Sequence, residues 1–439
     1  MCGPSQTRVG HLWLSIKTDL SIFKNKDASL TLSVERPGWL NGRMRTTPRS
    51  TTSPATGGDV FALIRDGQAT TRTEIGNLTG LSRTAVAARV STLQASGLVV
   101  EREEGVSTGG RPPVKLSFHV QAGVVLSAAI GRSRTQLAIC DLAGDVLVVE
   151  DVEQEIGTSP AELMPVIAQR LISLRESLGG TARRTVGVGI SLPGTVDIER
   201  GCSLNSPMMS GWDGVPLQPF LAEVTDAPVF VDNDANVMVL AERRGERRDF
   251  ADMLLIKAST GLGAGIVSGG ALQRGALGAA GEIGHTKTAA AQGVVCRCGD
   301  VGCVEAVAGG WALVRNLQGQ GRNVTHIRDV ITLALAGDAE ARRMIRESGR
   351  QIGEVLSGVV NLLNPEVVIV GGDMAQAYDT FVAGLRETLY GNAIAVATQQ
   401  LQILPWTHGE LSGVVGSATM ALDHVLSVRA VDRLLAQQR

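Results

Sequence analysis

The hydrophobic positions of residues 59–118 follow a helical spacing first and a strand spacing afterwards. Glycines separate three short apolar stripes, and the third has the i, i+4, i+7 spacing of a buried helix face: Val86, Val90 and Leu93. Residues 98–102 and 114–118 then alternate apolar and polar side chains around a loop that contains glycine and proline. Three short helices followed by a two-stranded ribbon predict a winged helix-turn-helix over residues 56–118.

From about Gly123 onward, strand-like apolar runs alternate with helical ones. Residues 124–130 and 253–257 are two such strands, and a glycine-containing turn follows each of them. Alternating strands and helices predict an α/β domain whose sheets are covered on both faces. The repeated opening predicts two related lobes, with a cleft between them, within residues 119–439.

Residues 1–55 differ from the rest of the chain. They contain scattered basic side chains and run into a linker rich in Thr, Ser, Pro and Gly over residues 46–58. Two interpretations stay open: a basic arm that helps to hold DNA, and a disordered extension and linker. We favour the second, because chain ends are commonly flexible.

Composition narrows the classes of function. The chain has 439 residues, of which 44% are hydrophobic and 19% are charged, so it can bury a core and is not globally disordered. A net charge of -2 excludes a protein that coats nucleic acid with its whole surface. No apolar run reaches the roughly 18 residues of a membrane-spanning helix, and no secretory signal is recognisable. We expect a cytoplasmic protein that does not insert into membranes.

The strongest chemical motif is a histidine followed by a cysteine cluster: His285, Cys296, Cys298 and Cys303. One imidazole and three thiolates make a closed tetrahedral set that suits zinc. Gly299 and Gly302 let the backbone turn so that the three sulfurs can converge. A set without a free ligand position is typical of a structural site. We therefore predict structural zinc; the alternative is a coincidental group of cysteines.

The segment GEIGH at residues 281–285, followed by the pattern CxCGxxGCxE, closely resembles the ROK family of repressors, open reading frames and sugar kinases. The resemblance covers about residues 119–424, and the 56–118 module resembles the winged helix that precedes this domain in ROK repressors. It implies the actin-like, sugar-kinase architecture of two α/β lobes, in which zinc orders the wall of the sugar pocket.

The resemblance also implies a sugar site. In the segment VDNDAN at residues 231–236, Asp234 matches the catalytic carboxylate of the family's kinases and Asn233 matches a ligand of a sugar hydroxyl. Further sugar contacts are matched by Glu282, His285 and Glu305. One ring nitrogen of His285 could bind zinc while the other donates to the sugar. Each carboxylate alone could have a surface or helix-capping role, but their joint spacing favours a ligand site.

The sequence departs from the family pattern in two places. ROK kinases begin their first lobe with the phosphate-binding turn Asp-x-Gly-x-Thr, but here Ala129 replaces the acid, and Arg132 and Arg134 occupy the turn. The family's sugar-contacting Asn before a Gly-Trp turn appears as Met208, which puts a hexose preference in doubt. A second glycine-rich turn, residues 260–265, remains, although such turns also serve fold geometry. We expect neither enzymatic activity nor ATP as a cofactor, and Asp234 would be the base if the chain were a kinase.

The predicted third helix carries the candidate DNA contacts. The face opposite its apolar stripe has small side chains that allow close approach to a major groove, and arginine can contact phosphate or guanine. We predict DNA contacts at Ser82, Arg83, Thr84 and Ser91, and at Arg111 in the wing. A winged helix that binds protein is the alternative, since neighbouring glutamates weaken the basic character.

Together these features predict a sugar-responsive DNA-binding transcriptional regulator, with a repressor of carbohydrate-metabolism genes favoured. Its expected partners are operator DNA, a sugar or sugar-phosphate effector, and further copies of itself in a homodimer or homotetramer, because paired half-sites need two recognition helices. One rival is an ATP-dependent sugar kinase, which Asp234 favours and Ala129 disfavours. Another is a regulator that acts through protein contact.

Overall fold

The computed structural model describes residues 55–103, 114–179, 184–204, 209, 211–245 and 247–437. Three features of the sequence analysis lie outside these ranges. They are the extension before residue 55, Arg111 in the wing, and Met208.

The first described part of the chain is the predicted winged helix-turn-helix. It consists of α1 (Gly57–Arg65), α2 (Arg72–Thr79), α3 (Arg83–Ala95) and the antiparallel strands β1 (Val99–Glu103) and β2 (Val114–Phe118). Thr56, Thr71 and Ser82 begin the three helices, and each side chain accepts a hydrogen bond from a backbone N–H of the first turn. The apolar stripe of α3 is buried, as its spacing predicts.

A five-stranded sheet forms the centre of the first lobe. In chain order the lobe contains β3 (Val124–Ile130), β4 (Arg134–Asp141), β5 (Val146–Glu153), α4 (Pro160–Ser177), β6 (Thr185–Leu192), the short ribbon β7 (Val196–Asp197) and β8 (Cys202–Ser203), and β9 (Val229–Asn233). The order of strands across the sheet is β5-β4-β3-β6-β9. Strand β3 pairs antiparallel with β4 and parallel with β6. Strand β9 runs directly into α5 (Asp234–Arg244).

The second lobe repeats this sheet pattern. Its strands are β10 (Met253–Ala258), β11 (Leu262–Ser268), β12 (Ala271–Leu272), β13 (Val367–Gly371) and β14 (Gln402–Pro405), in the order β12-β11-β10-β13-β14. Strand β10 pairs antiparallel with β11 and parallel with β13, as β3 does with its own neighbours. The expectation of two related α/β lobes is confirmed.

Helices of the second lobe pack on its sheet. They are α6 (Glu305–Ala308), α7 (Gly310–Gly319), α8 (Ile327–Leu335), α9 (Ala339–Leu363), α10 (Tyr378–Asn392) and α11 (Ala395–Thr398). The long α9 packs along α10, and both contribute to the core that also contains β10 and β13.

Two helices, α5 and α12 (Ser412–Val425), lie in layers between the sheets. A Cβ added at Gly416 of α12 would lie 1.9 Å from the carbonyl oxygen of Val237 in α5. On the other side of α12, a Cβ at Gly189 of β6 would lie 1.9 Å from the carbonyl oxygen of Ser417. Only glycine permits backbones to approach so closely. The layers therefore follow the order first sheet, α12, α5, second sheet.

The last helix, α13 (Val428–Gln437), packs on α1 of the winged module. Apolar side chains of both helices share one core: Val60, Phe61, Ile64, Val431 and Leu435. Asp432 accepts a hydrogen bond from Gly58 N at 2.7 Å, and Arg65 donates to the carbonyl oxygen of Leu426 at 3.0 Å. The sequence analysis included α13 in the 119–439 domain and contained no signal for its contact with α1.

No single helix in the described ranges has the length and apolar character needed to cross a membrane. When two helices separated by a sharp bend are taken together, one pair in the described ranges meets the requirements of length and apolar composition: Gly409–Val425 with Val428–Gln437.

Replacing Gly58 by alanine is expected to separate α1 from α13. The added Cβ would lie 2.3 Å from the carbonyl oxygen of Val428, a backbone atom that cannot swing away. Overpacking of this kind costs about 1–3 kcal/mol, so urea denaturation should show a lower unfolding midpoint. The matched control is Gly358→Ala within α9, where nothing lies within 4 Å and the helix should tolerate or favour alanine. Equal midpoints for the two variants would contradict the α1–α13 contact.

Candidate functional site

The structure brings the five predicted sugar-binding residues to one cavity of about 320 Å³: Asn233, Asp234, Glu282, His285 and Glu305. The turn after β3 and the start of α5 line one side of it. The turn before β11, the loop that carries residues 280–285, and the end of β13 line the other. A cleft at the carboxyl ends of parallel strands is where α/β proteins commonly bind small molecules.

A larger cavity of about 880 Å³ lies at the opposite edge of the first sheet. Val124, Thr185 and Pro228 line it, so it lies at the amino ends of β3, β6 and β9. None of the predicted site residues reaches it. We assign the candidate site to the smaller cavity, because convergent charged side chains identify a site better than volume does.

Asp234 is the first residue of α5, and its carboxylate forms an ion pair with Lys257 near the end of β10. The sequence analysis missed Lys257. The signal was present, since Lys257 is the one charged residue in the otherwise apolar strand MLLIKA. An ionised carboxylate at the cavity wall is a strong acceptor for a ligand hydroxyl.

Asn233 is largely occupied by the protein itself. Its Oδ1 accepts hydrogen bonds from Ala235 N at 2.8 Å and Asn236 N at 3.2 Å, and its Nδ2 donates to the carbonyl oxygen of Gly194 at 2.9 Å. It therefore caps α5, with one side-chain N–H left for a ligand. The neighbouring Asp232 is buried and accepts from Arg274 Nε at 2.7 Å, which ties the end of β9 to the segment after β12.

Glu305 is only 5% exposed and uses both carboxylate oxygens within the protein. Oε2 accepts from Leu262 N at 2.8 Å, and Oε1 accepts from Trp311 Nε1 at 3.1 Å. These bonds join the turn before β11 to α6 and α7. In this structure Glu305 shapes the cavity wall, in addition to any contact with a ligand.

Glu282 and His285 face each other across 3.8 Å, measured from Oε2 to Nε2. Thr195 Oγ1 lies 3.5 Å from Glu282 Oε1, a contact that the sequence analysis missed. Burial raises the pKa of Glu282. The electrostatic interaction with His285 opposes this rise, and the nearby carboxylates of Asp234 and Glu305 add to it. Glu282 is thus a carboxyl group with unused hydrogen-bonding capacity.

The other ring nitrogen of His285 faces the three predicted cysteines. Its Nδ1 lies 4.0 Å from Cys296 Sγ, and Cys298 Sγ lies 3.8 Å from Cys303 Sγ. The four ligand atoms all lie within 4.8 Å of one another. Metal–sulfur bonds of about 2.3 Å in a tetrahedron separate two sulfurs by about 3.8 Å. The cluster can therefore hold a metal ion, and Lys287 Nζ, 3.2 Å from Cys303 Sγ, adds a positive charge beside the thiols.

The two predicted phosphate turns differ in the structure. Arg134 of the first turn pairs with Asp151 at 3.5 Å and with Glu410 at 3.4 Å, so the protein itself neutralises it. Arg132 lines the cavity. The second turn is shorter than predicted, because antiparallel pairing with β10 already begins at Leu262 and makes residues 262–265 part of β11. The glycine-rich turn consists of residues 259–261 alone.

The predicted DNA-contacting face of α3 is exposed to solvent. Ser82, Arg83, Thr84 and Ser91 are all exposed. Arg89 of the same helix donates to the carbonyl oxygens of Ala55 at 2.7 Å and Ala85 at 3.2 Å, so the protein itself holds it.

The sequence profile of the ROK family matches residues 125–424. The chain belongs to the ROK family. A xylose repressor from Caldicellulosiruptor bescii is 30% identical over 382 residues, which cover 84% of this chain and 95% of that protein. The match confirms the resemblance to the ROK family that the segments at residues 231–236 and 281–305 indicate.

Two solved ROK structures are similar to this chain. One is a ROK family transcriptional regulator, a homologue of the Escherichia coli MLC protein, with a TM-score of 0.74 and 25% identity over 87% of this chain and 98% of its own. The other is a ROK family glucokinase from Streptomyces griseus in complex with glucose and AMPPNP, with a TM-score of 0.59 and 28% identity over 68% and 99%. The likeness to the regulator covers more of this chain.

Glu305→Gln is expected to lower the free energy of unfolding by about 1–3 kcal/mol, because an amide nitrogen cannot accept one of the two hydrogen bonds. Urea denaturation at pH 7 would measure the loss. The matched control is Glu282→Gln, which should cost less, because the described residues give that carboxylate one long hydrogen bond, 3.5 Å from Thr195 Oγ1, in place of two shorter ones. Similar losses in both variants would contradict the structural role of Glu305.

Proposed function

We propose that this protein is a sugar-responsive transcriptional repressor of carbohydrate-metabolism genes. The observation that carries the proposal is the fixed connection between a winged helix with an exposed recognition face and a polar interlobe cleft. Its ROK relatives include a xylose repressor and a transcriptional regulator, which supports the same reading. In this proposal residues 56–118 bind DNA and residues 119–439 sense the ligand.

The chemistry of the cleft suits a ligand rich in hydroxyl groups. Asp234 and Glu282 offer carboxylate acceptors, Asn233 offers an amide N–H donor, and His285 offers a ring N–H donor. A sugar presents several hydroxyls in fixed directions, so a few convergent polar groups can select it. Glu305 would act mainly by holding the wall against which the sugar lies.

Helix α12 offers a physical route from the cleft to the DNA-binding module. Its first turn, at Gly413, lines the cavity, and its last turn, at Leu422, lies in the core that contains α1. Its 14 residues span about 21 Å. A ligand that binds one lobe arrangement better than the other would shift α12, and α1 with it. In a homodimer or homotetramer this would change the spacing of the recognition helices.

The cysteine–histidine cluster is proposed to hold structural zinc. The three thiols and the His285 imidazole form a closed set, and bound zinc would fix the loop that carries them. That loop leads directly into Glu305 and α6. The metal would therefore stabilise the cavity wall and would take no part in a reaction.

Sugar kinase activity is the second candidate function, because Asp234 stands where a kinase base would stand and a ROK glucokinase shares the fold. Phosphoryl transfer also needs groups that hold the nucleotide and its metal in line with the hydroxyl. Ala129 offers no carboxylate for this purpose. We propose that the chain binds a sugar without using ATP, as a DNA-binding protein of the cytoplasm.

The proposed function is tested by selecting DNA from a random oligonucleotide pool and then measuring its release by pentoses, hexoses and N-acetylhexosamines, free and phosphorylated. At least one ligand should shift the dissociation constant for DNA tenfold or more. Asp234→Asn should bind DNA normally and lose the response. Arg83→Ala should instead weaken DNA binding by about tenfold or more with or without ligand.

Two results would contradict this proposal. One is a protein that selects no sequence, or whose DNA binding no sugar affects. The other is sugar-dependent ADP release at about 1 s⁻¹ or more, the usual enzyme range, that disappears in Asp234→Asn. The second result would establish the kinase in place of the regulator.

Elemental analysis should find about one zinc per chain in freshly purified protein. Cys298→Ser should lose it, because a hydroxyl is a poor substitute for a thiolate ligand, and proteolysis should then cleave the 286–304 loop faster. Cys202→Ser, at a buried thiol outside the cluster, is the matched control and should keep its zinc. A zinc-free protein with a protected loop would refute the metal assignment.

A further inference from the structure

Lys257 is a charged residue at a position where the fold buries apolar side chains. It belongs to β10, the central strand of the second sheet. Every second side chain of a strand lies on the same face. On one face of β10, Met253 and Leu255 share a buried core with Met238 and Val239 of α5, and Lys257 is the next position on that face. A charge is costly there unless it has a partner, so packing does not explain the lysine.

Glycines flank Lys257 on both neighbouring strands. Its directly paired residues are Gly263 of β11 and Gly371 of β13. Paired residues lie on the same face of a sheet, so neither strand places a side chain beside Lys257 at this level. The Lys257 side chain is 27% exposed and lines the cavity. The sheet thus presents an ammonium group to the cleft.

The ammonium group of Lys257 donates to Oδ2 of Asp234. Among the residues that the structure describes, neither side chain has another hydrogen-bond partner. An ammonium group has three N–H donors, and a carboxylate has two acceptor oxygens. Asp234 is 18% exposed and lines the same cavity. Both members of the pair therefore reach the cleft with unused hydrogen-bonding capacity.

We propose that Lys257 is a ligand-binding residue of the cleft, and that the Asp234–Lys257 pair recognises one sugar hydroxyl from both sides. The hydroxyl would donate to the carboxylate and accept from the ammonium group. A hydroxyl is both a donor and an acceptor, so an adjacent anion and cation complement it, whereas an apolar carbon satisfies neither. The inference rests on the proposed function and specifies how its site selects the ligand.

The pair also connects the two sheets. Asp234 follows directly on β9 of the first sheet, whereas Lys257 belongs to the second sheet. A hydroxyl held by both side chains would contact both sides of the cleft. A ligand shifts an equilibrium only through its different affinities for the two arrangements. The shared hydroxyl would make the affinity for the sugar depend on how the lobes are arranged.

Isothermal titration of the full-length protein tests this assignment. The first probes are D-xylose, D-glucose and N-acetyl-D-glucosamine, and the sugar that binds most tightly is then compared with its monodeoxy and monodeoxyfluoro analogues. A deoxy analogue loses both hydrogen bonds, whereas fluorine keeps a weak acceptor and loses the donor. At one position the deoxy analogue should bind about tenfold or more weakly than the parent sugar, since a hydrogen bond to a charged group is worth about this factor. The fluoro analogue should lie between the two.

Lys257→Met removes the ammonium group and keeps an unbranched side chain. The parent sugar should then bind about tenfold or more weakly, because one charged donor is lost. At the position identified with the wild-type protein, the fluoro and deoxy analogues should now bind equally, since no group is left to donate to fluorine. The ratios at the other positions should stay unchanged. A lysine that served the fold alone would lower the affinity for all analogues by one factor.

Arg274→Gln is the matched control. Arg274 pairs with Asp232 at 2.7 Å and likewise joins a segment after β12 to the end of β9, but it lies outside the set of described residues that line the cavity. The variant should therefore keep the difference between the fluoro and deoxy analogues. Thermal melting of every variant separates loss of binding from loss of fold. Arg274→Lys, which keeps the charge, replaces the glutamine variant if that protein melts below the assay temperature.

The outcomes distinguish this inference from the proposed function. A Lys257→Met variant that binds the parent sugar as tightly as the wild type, or that weakens every analogue by the same factor, would overturn the inference and leave a sugar-responsive repressor intact. Sugar binding that depends on Lys257 as described, in a protein whose DNA binding no sugar affects, would keep the inference and contradict the repressor. A protein that binds none of the three sugars would overturn the inference, while the DNA-release measurement decides the repressor separately.

Discussion

The close approach of α12 to its neighbours is the constraint on which the rest of the structure depends. Its backbone contacts β6 on one side and α5 on the other, at Gly189 and Gly416, where a single added carbon atom would collide with a carbonyl group. Since α5 in turn packs on the second sheet, this helix determines the distance between the lobes. These tightly packed layers resist moving apart or together. They therefore set the width of the cleft and determine which side chains face each other across it.

The same helix ends in the core of the DNA-binding module. Leu422 and Leu426 belong to the same buried core as the apolar residues of α1 and α13. A DNA-binding module on a flexible tether would be insensitive to events in the cleft. In the proposed function the buried contact would transmit a displacement, because packed cores have discrete arrangements and resist gradual deformation.

Much of this architecture could be predicted from the sequence, since local signals carried it. The caps and stripes of the winged helix, the repeated strand-and-turn opening, and the spacing of His285 and the cysteines all depend on residues near one another in the chain. The contacts that sequence reasoning missed join residues that are far apart in the chain. The Asp234–Lys257 pair joins the start of α5 to β10, both oxygens of Glu305 accept from other segments, and α13 meets α1 only in three dimensions. No local pattern reports such contacts, although a lone lysine in an apolar strand could have prompted the search for its partner.

The α1–α13 contact has a consequence for how the protein is made. The hydrogen bond between Gly58 and Asp432 joins residues 374 positions apart, so α13 leaves the ribosome long after α1. Domains fold in order of synthesis, and contacts between distant segments form late. The winged helix therefore lacks its contact with α13, and Val60 and Phe61 stay partly uncovered, until residues 428–437 have been synthesised. A chain that stopped before residue 428 would contain the winged helix without the helix that packs on it and joins it to the lobes.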